Sequence, residues 1–197
     1  MNSFFTGVPL LTSQVIVLPI IRSKYLGLIP YPGLILLTFS KEIESPFFMS
    51  LMKKNIDEII KISDKIWELA ETAFNEYESS KLLSDYAEAN GFSLERGVAG
   101  MPTAFVATYG EGRPVISVLG EFDALPGLSQ DTTSTKKPLI EGGNGHGCGH
   151  NLFGAASLAS AIAIKELIEN GDLKGTIKFF GTPSEEKFFG KIWMVDA

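Results

Sequence analysis

The sequence predicts an α/β domain, a layered sheet with helices on its faces. Two stretches of helical periodicity over 53–90, two short β-rich runs over 104–119, and an apolar helix followed by a further strand over 152–180 together point to that class. The chain has 197 residues, 45% of them apolar, which is material for one sizeable core.

Residues 1–48 read differently from the rest. They hold five charges, Arg22, Lys24, Lys41, Glu42 and Glu44, for a net +1, so residues 49–197 carry −7. No basic segment precedes the apolar run Val15–Ile21 and no small-residue cleavage site follows it, which argues against a signal peptide. A membrane span is opposed by Pro9, Pro19, Pro30 and Pro32, because each removes a backbone donor where lipid offers no replacement. The expectation is an apolar N-terminal extension, 1–48, outside the domain proper, which then occupies 49–197 with Met49 or Met52 as its natural start.

From residue 53, Ile56, Ile59, Ile60, Trp67, Ala70, Phe74 and Tyr77 fall on one face of a helix of about 20 residues. A second helix fits Ser79–Asn90, with Leu82, Leu83 and Tyr86 on one face and Gly91 as its stop. Ala104–Tyr109 and Pro114–Leu119 are β-rich and separated by Gly110-Glu111-Gly112-Arg113, a hairpin signal. Val115–Leu119 is apolar apart from Ser117, as in a strand covered on both faces. Residues 127–149 form a long polar loop, a kind of segment usually functional or disordered. Leu152–Ile168 is an apolar helix rich in small residues and stopped by Gly171, and Thr176–Phe180 is the last strand.

A net charge of −6 with no long basic run argues against nucleic-acid binding and against an anionic membrane surface. The single cysteine, Cys148, excludes an internal disulfide framework and fits a reducing, cytoplasmic setting. The only two histidines, His146 and His150, flank that cysteine.

Three loops carry candidate chemistry. Glu121 and Asp123 stand just past a strand end, where open α/β sheets bind ligands; an ordinary turn-capping role for one of them is the competing reading. In Gly145-His146-Gly147-Cys148-Gly149-His150-Asn151, thiolate and imidazole are ligand types suited to a borderline-soft divalent ion such as zinc. Cys148 and His150, two apart in an extended segment, face the same side. A buried free cysteine with glycines serving turns is the plainer alternative. In Thr182-Pro183-Ser184-Glu185-Glu186, one carboxylate can coordinate a metal while the other accepts a proton. Alone, that pair reads as solvated charge; beside Cys148 and His150 it reads as a site. A cysteine hydrolase using Cys148 with a histidine base is a rival reading, although no third orienting group is evident.

Gly-Glu-Phe-Asp-Ala-Leu-Pro-Gly-Leu-Ser (120–129), Gly-His-Gly-Cys-Gly-His-Asn (145–151) and Gly-Thr-Pro-Ser-Glu-Glu (181–186) resemble the metal-dependent peptidase/amidohydrolase family. That family includes aminoacylases, carboxypeptidases and the auxin-conjugate and hippurate hydrolases, and the nearest branch is the p-aminobenzoyl-glutamate hydrolase B-subunit-like proteins. The resemblance covers roughly residues 53–197. It implies the N-terminal part of a metallopeptidase-like catalytic domain that cleaves an amide in N-acyl amino acids or dipeptide-like substrates at a two-metal centre, with zinc or manganese. On the matched positions it implies Cys148, His150 and Glu186 as ligands and Glu185 as general base, with Asp123 and His146 in supporting places. Asn151 stands where the family usually has aspartate, and Lys187-Phe188-Phe189 stand where the branch runs glycine-rich. The family draws further histidine ligands and a lid or dimerisation domain from later sequence. The expectation is therefore a truncated chain without that homodimerising domain, weakly active or inactive, or else a non-catalytic remnant that binds metal or a partner.

Overall fold

A computed structural model describes residues 46–197, so all of the expected extension except its last three residues lies outside the described part. Helix α1 (Pro46–Leu69) and helix α2 (Tyr77–Ala89) come first, followed by strand β1 (Ser93–Arg96) and a single 3-10 turn, Val98–Gly100. Strands β2 (Phe105–Glu111) and β3 (Val115–Gly120) lead into the long loop, then α3 (His150–Glu169), β4 (Gly175–Gly181), α4 (Glu185–Phe188) and α5 (Gly190–Asp196).

The sheet is mixed, in the order β1-β2-β4-β3. β2 is antiparallel to both β1 and β4, whereas β3 and β4 are parallel and joined through α3. The expected hairpin is therefore wrong. Both runs are strands, but β4 lies between them, with Ala107 opposite Phe179 on one side and Val118 opposite Phe179 on the other. A Gly-rich link permits a tight reversal without requiring one, and β4 buries more apolar surface in the middle than at an edge. Among the described residues β3 is consequently an edge strand, with Val118 buried on one face and Val115 40% exposed on the other.

The period-two alternation explains the core. Phe105 and Ala107 of β2, Val118 of β3, and Ile177 and Phe179 of β4 point to one face. There they meet Leu83 and Ala87 of α2 and Leu158 and Ile162 of α3. α3 lies on β3 and β4, α2 on β2 and β1, and α1 packs on both helices through Ile59, Ile62 and Ile66. Among the described residues α3 alone is long and apolar enough to cross a membrane, but here it is the central core helix, with 56% of that stretch buried. Gly154 lets it pass close beneath the loop after β3, since a Cβ there would stand 2.6 Å from the Glu121 carbonyl oxygen.

Helix α1 does not extend through Phe74 and Tyr77 as the periodicity suggests. It ends at Leu69, and Ala70 (φ 42°) and Phe74 (φ 60°) both adopt left-handed backbone. The stretch 70–76 is a loop whose tertiary bonds outweigh helical propensity. Glu71 Oε2 accepts from the Ser79 amide at 2.8 Å and Oε1 from the Glu78 amide at 3.1 Å, so it caps α2 from outside the helix. The Glu71 carbonyl accepts the Ala124 amide at 2.7 Å, tying the loop to the end of β3. Strand β1 is absent from the sequence reading because Ser-Leu-Glu-Arg offers only one apolar residue.

Candidate metal centre

A parallel β3–α3–β4 unit places the carboxyl ends of both strands and the N-terminus of the intervening helix at one end of the sheet. This is why three loops separated by dozens of residues meet. Residues 121–126 follow β3, residues 145–151 lead into α3, and residues 182–186 follow β4.

His150 is the hub. It is the first residue of α3 and is 4% exposed. Its Nδ1 lies 3.0 Å from Asp123 Oδ1 and 3.1 Å from the Asp123 carbonyl oxygen; both are acceptors, so Nδ1 carries the proton. That leaves Nε2 facing the site, 3.0 Å from Glu121 Oε2 and 3.8 Å from both Glu185 Oε2 and Glu186 Oε1. Burial opposes charge on this imidazole, but hydrogen bonds and attraction from Asp123 and Glu121 outweigh it and push the pKa up to about 11. Burial likewise acts against the charged forms of Asp123 and Glu121, yet His150 holds both below the usual carboxylate range, with Lys191 helping at Glu121, to which it is paired.

Two sets of ligand-type atoms converge there, Cys148 with His150 and Glu186, and Glu121 with His150 and Glu185, each within 4.8 Å of one another. Cys148 and His150 do come together, by a different route from the extended segment expected. Gly149 takes φ 89°, a conformation glycine adopts freely, and this turns the chain so that His150 opens the helix while Cys148 stays at the exposed rim.

The donor set fits a divalent ion. Thiol, imidazole and carboxylate are the mixture such ions take. Among the described residues, Glu186 Oε1 is buried with no hydrogen-bond partner, an acceptor aimed where a cation would satisfy it. The four carboxylates Glu121, Asp123, Glu185 and Glu186 around this imidazole also make the place electrostatically favourable for a cation. Because both sets share Nε2, and one nitrogen lone pair serves one ion, they are not two complete sites.

The turn after β4 is held at alternate residues. Thr182 donates through its amide and its Oγ1 to the Gly120 carbonyl, at 2.9 and 3.1 Å, and the Glu186 amide donates to Asp123 Oδ2 at 2.9 Å. Asp123 thus orients His150 with one oxygen and Glu186 with the other, which is more than a turn cap does. His146 sits apart from both ligand sets: its Nε2 donates to the Ile66 carbonyl at 3.0 Å, tying the glycine-rich loop to the end of α1. Asn151 points to α1 as well, its Nδ2 lying 3.2 Å from Ser63 Oγ. Sequence reasoning named Glu121 but gave it no role; its place two residues before Asp123 was the available signal. Beside Glu186 lies a cavity of about 210 Å³, lined in part by Thr72, Asn75, Leu125 and Lys187.

The fold is similar to that of M20 peptidase catalytic domains, over part of their length. Residues 118–197 match the model of peptidase family M20/M25/M40. Over 135 residues the chain is 47% identical to the B-subunit of p-aminobenzoyl-glutamate hydrolase from Escherichia coli, covering 68% of this chain and 28% of that protein. It is 35% identical over 133 residues to thermostable carboxypeptidase 1 of Saccharolobus solfataricus, covering 66% and 32%. The YXEP protein of Bacillus subtilis, a dinuclear metal binding peptidase of the M20 family, superposes with a TM-score of 0.56 at 27% identity, covering 68% of this chain and 36% of that one. The matched region thus spans about a third of the length of these relatives.

Proposed function

We propose that this chain supplies the first part of a metal-dependent amidohydrolase centre that cleaves N-acyl amino acids of the p-aminobenzoyl-glutamate kind. The observation that carries the reading is the convergence of Cys148, His150 and Glu186 within 4.8 Å, with Glu185 beside them. Cys148, His150 Nε2 and Glu186 would hold a zinc or manganese ion. When bound, such an ion supplies Lewis acidity, acidifying water and polarising the amide carbonyl. Glu185 accepts the proton of the attacking water on its carboxylate and passes it to the departing nitrogen. Asp123 keeps the His150 Nδ1 proton in place so that Nε2 presents its lone pair. The cavity beside Glu186 accommodates part of a small substrate.

The cysteine-nucleophile reading loses support. Burial and the neighbouring Glu186 and Glu185 raise the Cys148 pKa against the pull of His150, the reverse of thiolate activation. Both histidines of the chain are accounted for, His150 in the site and His146 on Ile66, so a second ion needs ligands from further sequence or from another subunit. Accordingly this chain alone binds about one ion and turns over little. A homodimer of the full-length protein, a second kind of subunit and a cytoplasmic setting belong to this proposal. The test is a manganese and zinc titration of the chain, together with p-aminobenzoate release from p-aminobenzoyl-glutamate against a Glu185→Gln control. Absence of any bound ion, or retention of binding in a Glu186→Ala variant, overturns the reading.

A further inference from the structure

Glu76 is the most deeply buried carboxylate described, at 0% exposure, and the chemistry above makes no use of it. Its Oε1 accepts the Ser184 amide at 2.8 Å and its Oε2 accepts the Thr103 hydroxyl at 3.2 Å. Burial raises its pKa, and the backbone N–H groups of Glu76 itself, Ser184 and Phe74 oppose that rise. Its hydrogen-bond partners among the described residues are neutral amides and a hydroxyl, with no cation to offset the cost of burying a carboxyl group. An apolar side chain of similar volume would serve the packing better.

What this carboxylate grips is a strained turn. Ser184 is fully buried and left-handed, at φ 56° and ψ 43°, and it immediately precedes Glu185 and Glu186. Such a backbone is strained for an ordinary L-residue and persists only where its surroundings over-determine it. The Ser184 hydroxyl has no hydrogen-bond partner among the described residues, so the amide is the hydrogen-bonded handle. Three successive alternate residues are then anchored: Thr182 on Gly120, Ser184 on Glu76 and Glu186 on Asp123. The loop that carries Glu76 also stacks Phe74 on Phe188 of α4, with ring centres 5.3 Å apart.

We propose that Glu76 is a positioning residue whose buried carboxylate holds Ser184 in its left-handed conformation and thereby aims Glu185 and Glu186 into the metal centre. This rests on the proposed function for what the glutamates do, but the grip itself stands on the geometry alone.

The experiment uses the whole chain with Co²⁺ as the only added ligand, reading affinity by titration and the cobalt–thiolate absorption from Cys148. Backbone hydrogen exchange of residues 182–188, compared with 155–163 in α3, is measured in parallel. Glu76→Ala weakens Co²⁺ binding by about tenfold or more, the range for losing a group that orients a ligand, and speeds exchange in 182–188 while leaving 155–163 protected. Glu76→Gln keeps an acceptor for the Ser184 amide and stays close to the parent chain. Ser184→Gly placed in the Glu76→Ala background restores most of the affinity, because glycine adopts the left-handed backbone without the steric cost that the clamp otherwise has to offset. Unchanged Co²⁺ affinity in Glu76→Ala, equal loss of protection in both segments, or no rescue by glycine overturns the proposal. Should Glu76→Ala fail to fold, Thr103→Val removes one donor from the same carboxylate; faster exchange confined to 182–188 supports the clamp and unchanged exchange refutes it. A parent chain that binds no Co²⁺ refutes the metal reading instead, and the exchange comparison still decides the clamp.

Discussion

Two of the three loops that bring side chains to His150 Nε2 are held by opposite means. The segment 145–151 is glycine-rich and bends because glycine permits it: Gly149 takes φ 89° with open space around its α-carbon, and Cys148 is exposed at the rim. The segment 182–186 contains no glycine, and it bends because buried carboxylates pull on its amides and force Ser184 into the left-handed region. One half of the candidate ligand set is conformationally permitted, the other conformationally compelled. Permission comes with freedom to lose on binding, whereas compulsion costs stability beforehand and leaves Glu185 and Glu186 already aimed.

The largest effect expected is that of the ion itself. At a free concentration about 100 times its dissociation constant, a divalent ion should stabilise the chain by about 2.7 kcal/mol. Thermal unfolding with and without a chelator reads this directly, and an unshifted melting temperature breaks the picture of one centre fed by both loops. Next comes Asp123→Asn, which disturbs both halves at once, because one oxygen orients His150 and the other holds the Glu186 amide. Its metal affinity should fall by about 10- to 100-fold, measured by competition with a chromogenic chelator. A loss no larger than that of a variant affecting only the 182–186 turn would show that Asp123 does not couple the two.

Smaller still is Gly149→Ala, which imposes a Cβ on a left-handed residue in open space and should cost about 1 kcal/mol in denaturant unfolding. A negligible cost would mean that the glycine-rich loop relaxes rather than holds its shape. The smallest effect belongs far from either loop. Asp85 pairs with Lys81 and with Arg96 on the surface, and the Lys81 hydrogen bond holds its pKa below the ordinary 3.8. A depressed carboxyl contributes stability above its unfolded-state pKa and loses it as pH falls through the folded value. Asp85→Asn should therefore cost less than about 1 kcal/mol at pH 7, and acid unfolding curves of variant and parent should converge once pH has fallen below the folded-state value.

Much of the candidate site could be read from residue type and order alone. Cys148, His150, Glu185 and Glu186 announce themselves because thiol, imidazole and paired carboxylates are scarce in combination and stand at strand and helix ends. The main helices and the strands around the site are legible for a related reason: apolar periodicity is a local property of consecutive residues. Gly91 and Gly171 stop α2 and α3 as their placement suggests, with φ 90° and 82°.

Tertiary structure decided what no local pattern encodes. Whether β2 pairs with β3 or admits β4 between them depends on which arrangement buries more apolar surface, a comparison between segments more than 50 residues apart. Ala70 and Phe74 fit a helical face in sequence, yet Glu71, Phe74 and Glu76 find partners on α2, α4 and the turn after β4 that outweigh two more helical turns. Glu76 itself looks like any surface glutamate near a helix start. Its role exists only because the sheet brings residue 184 against residue 76, and a buried hydrogen bond between groups 108 positions apart leaves no trace in either stretch of sequence. Residue chemistry is carried by single side chains and survives reading one at a time; orientation is a relation between distant backbones, and only the fold supplies it.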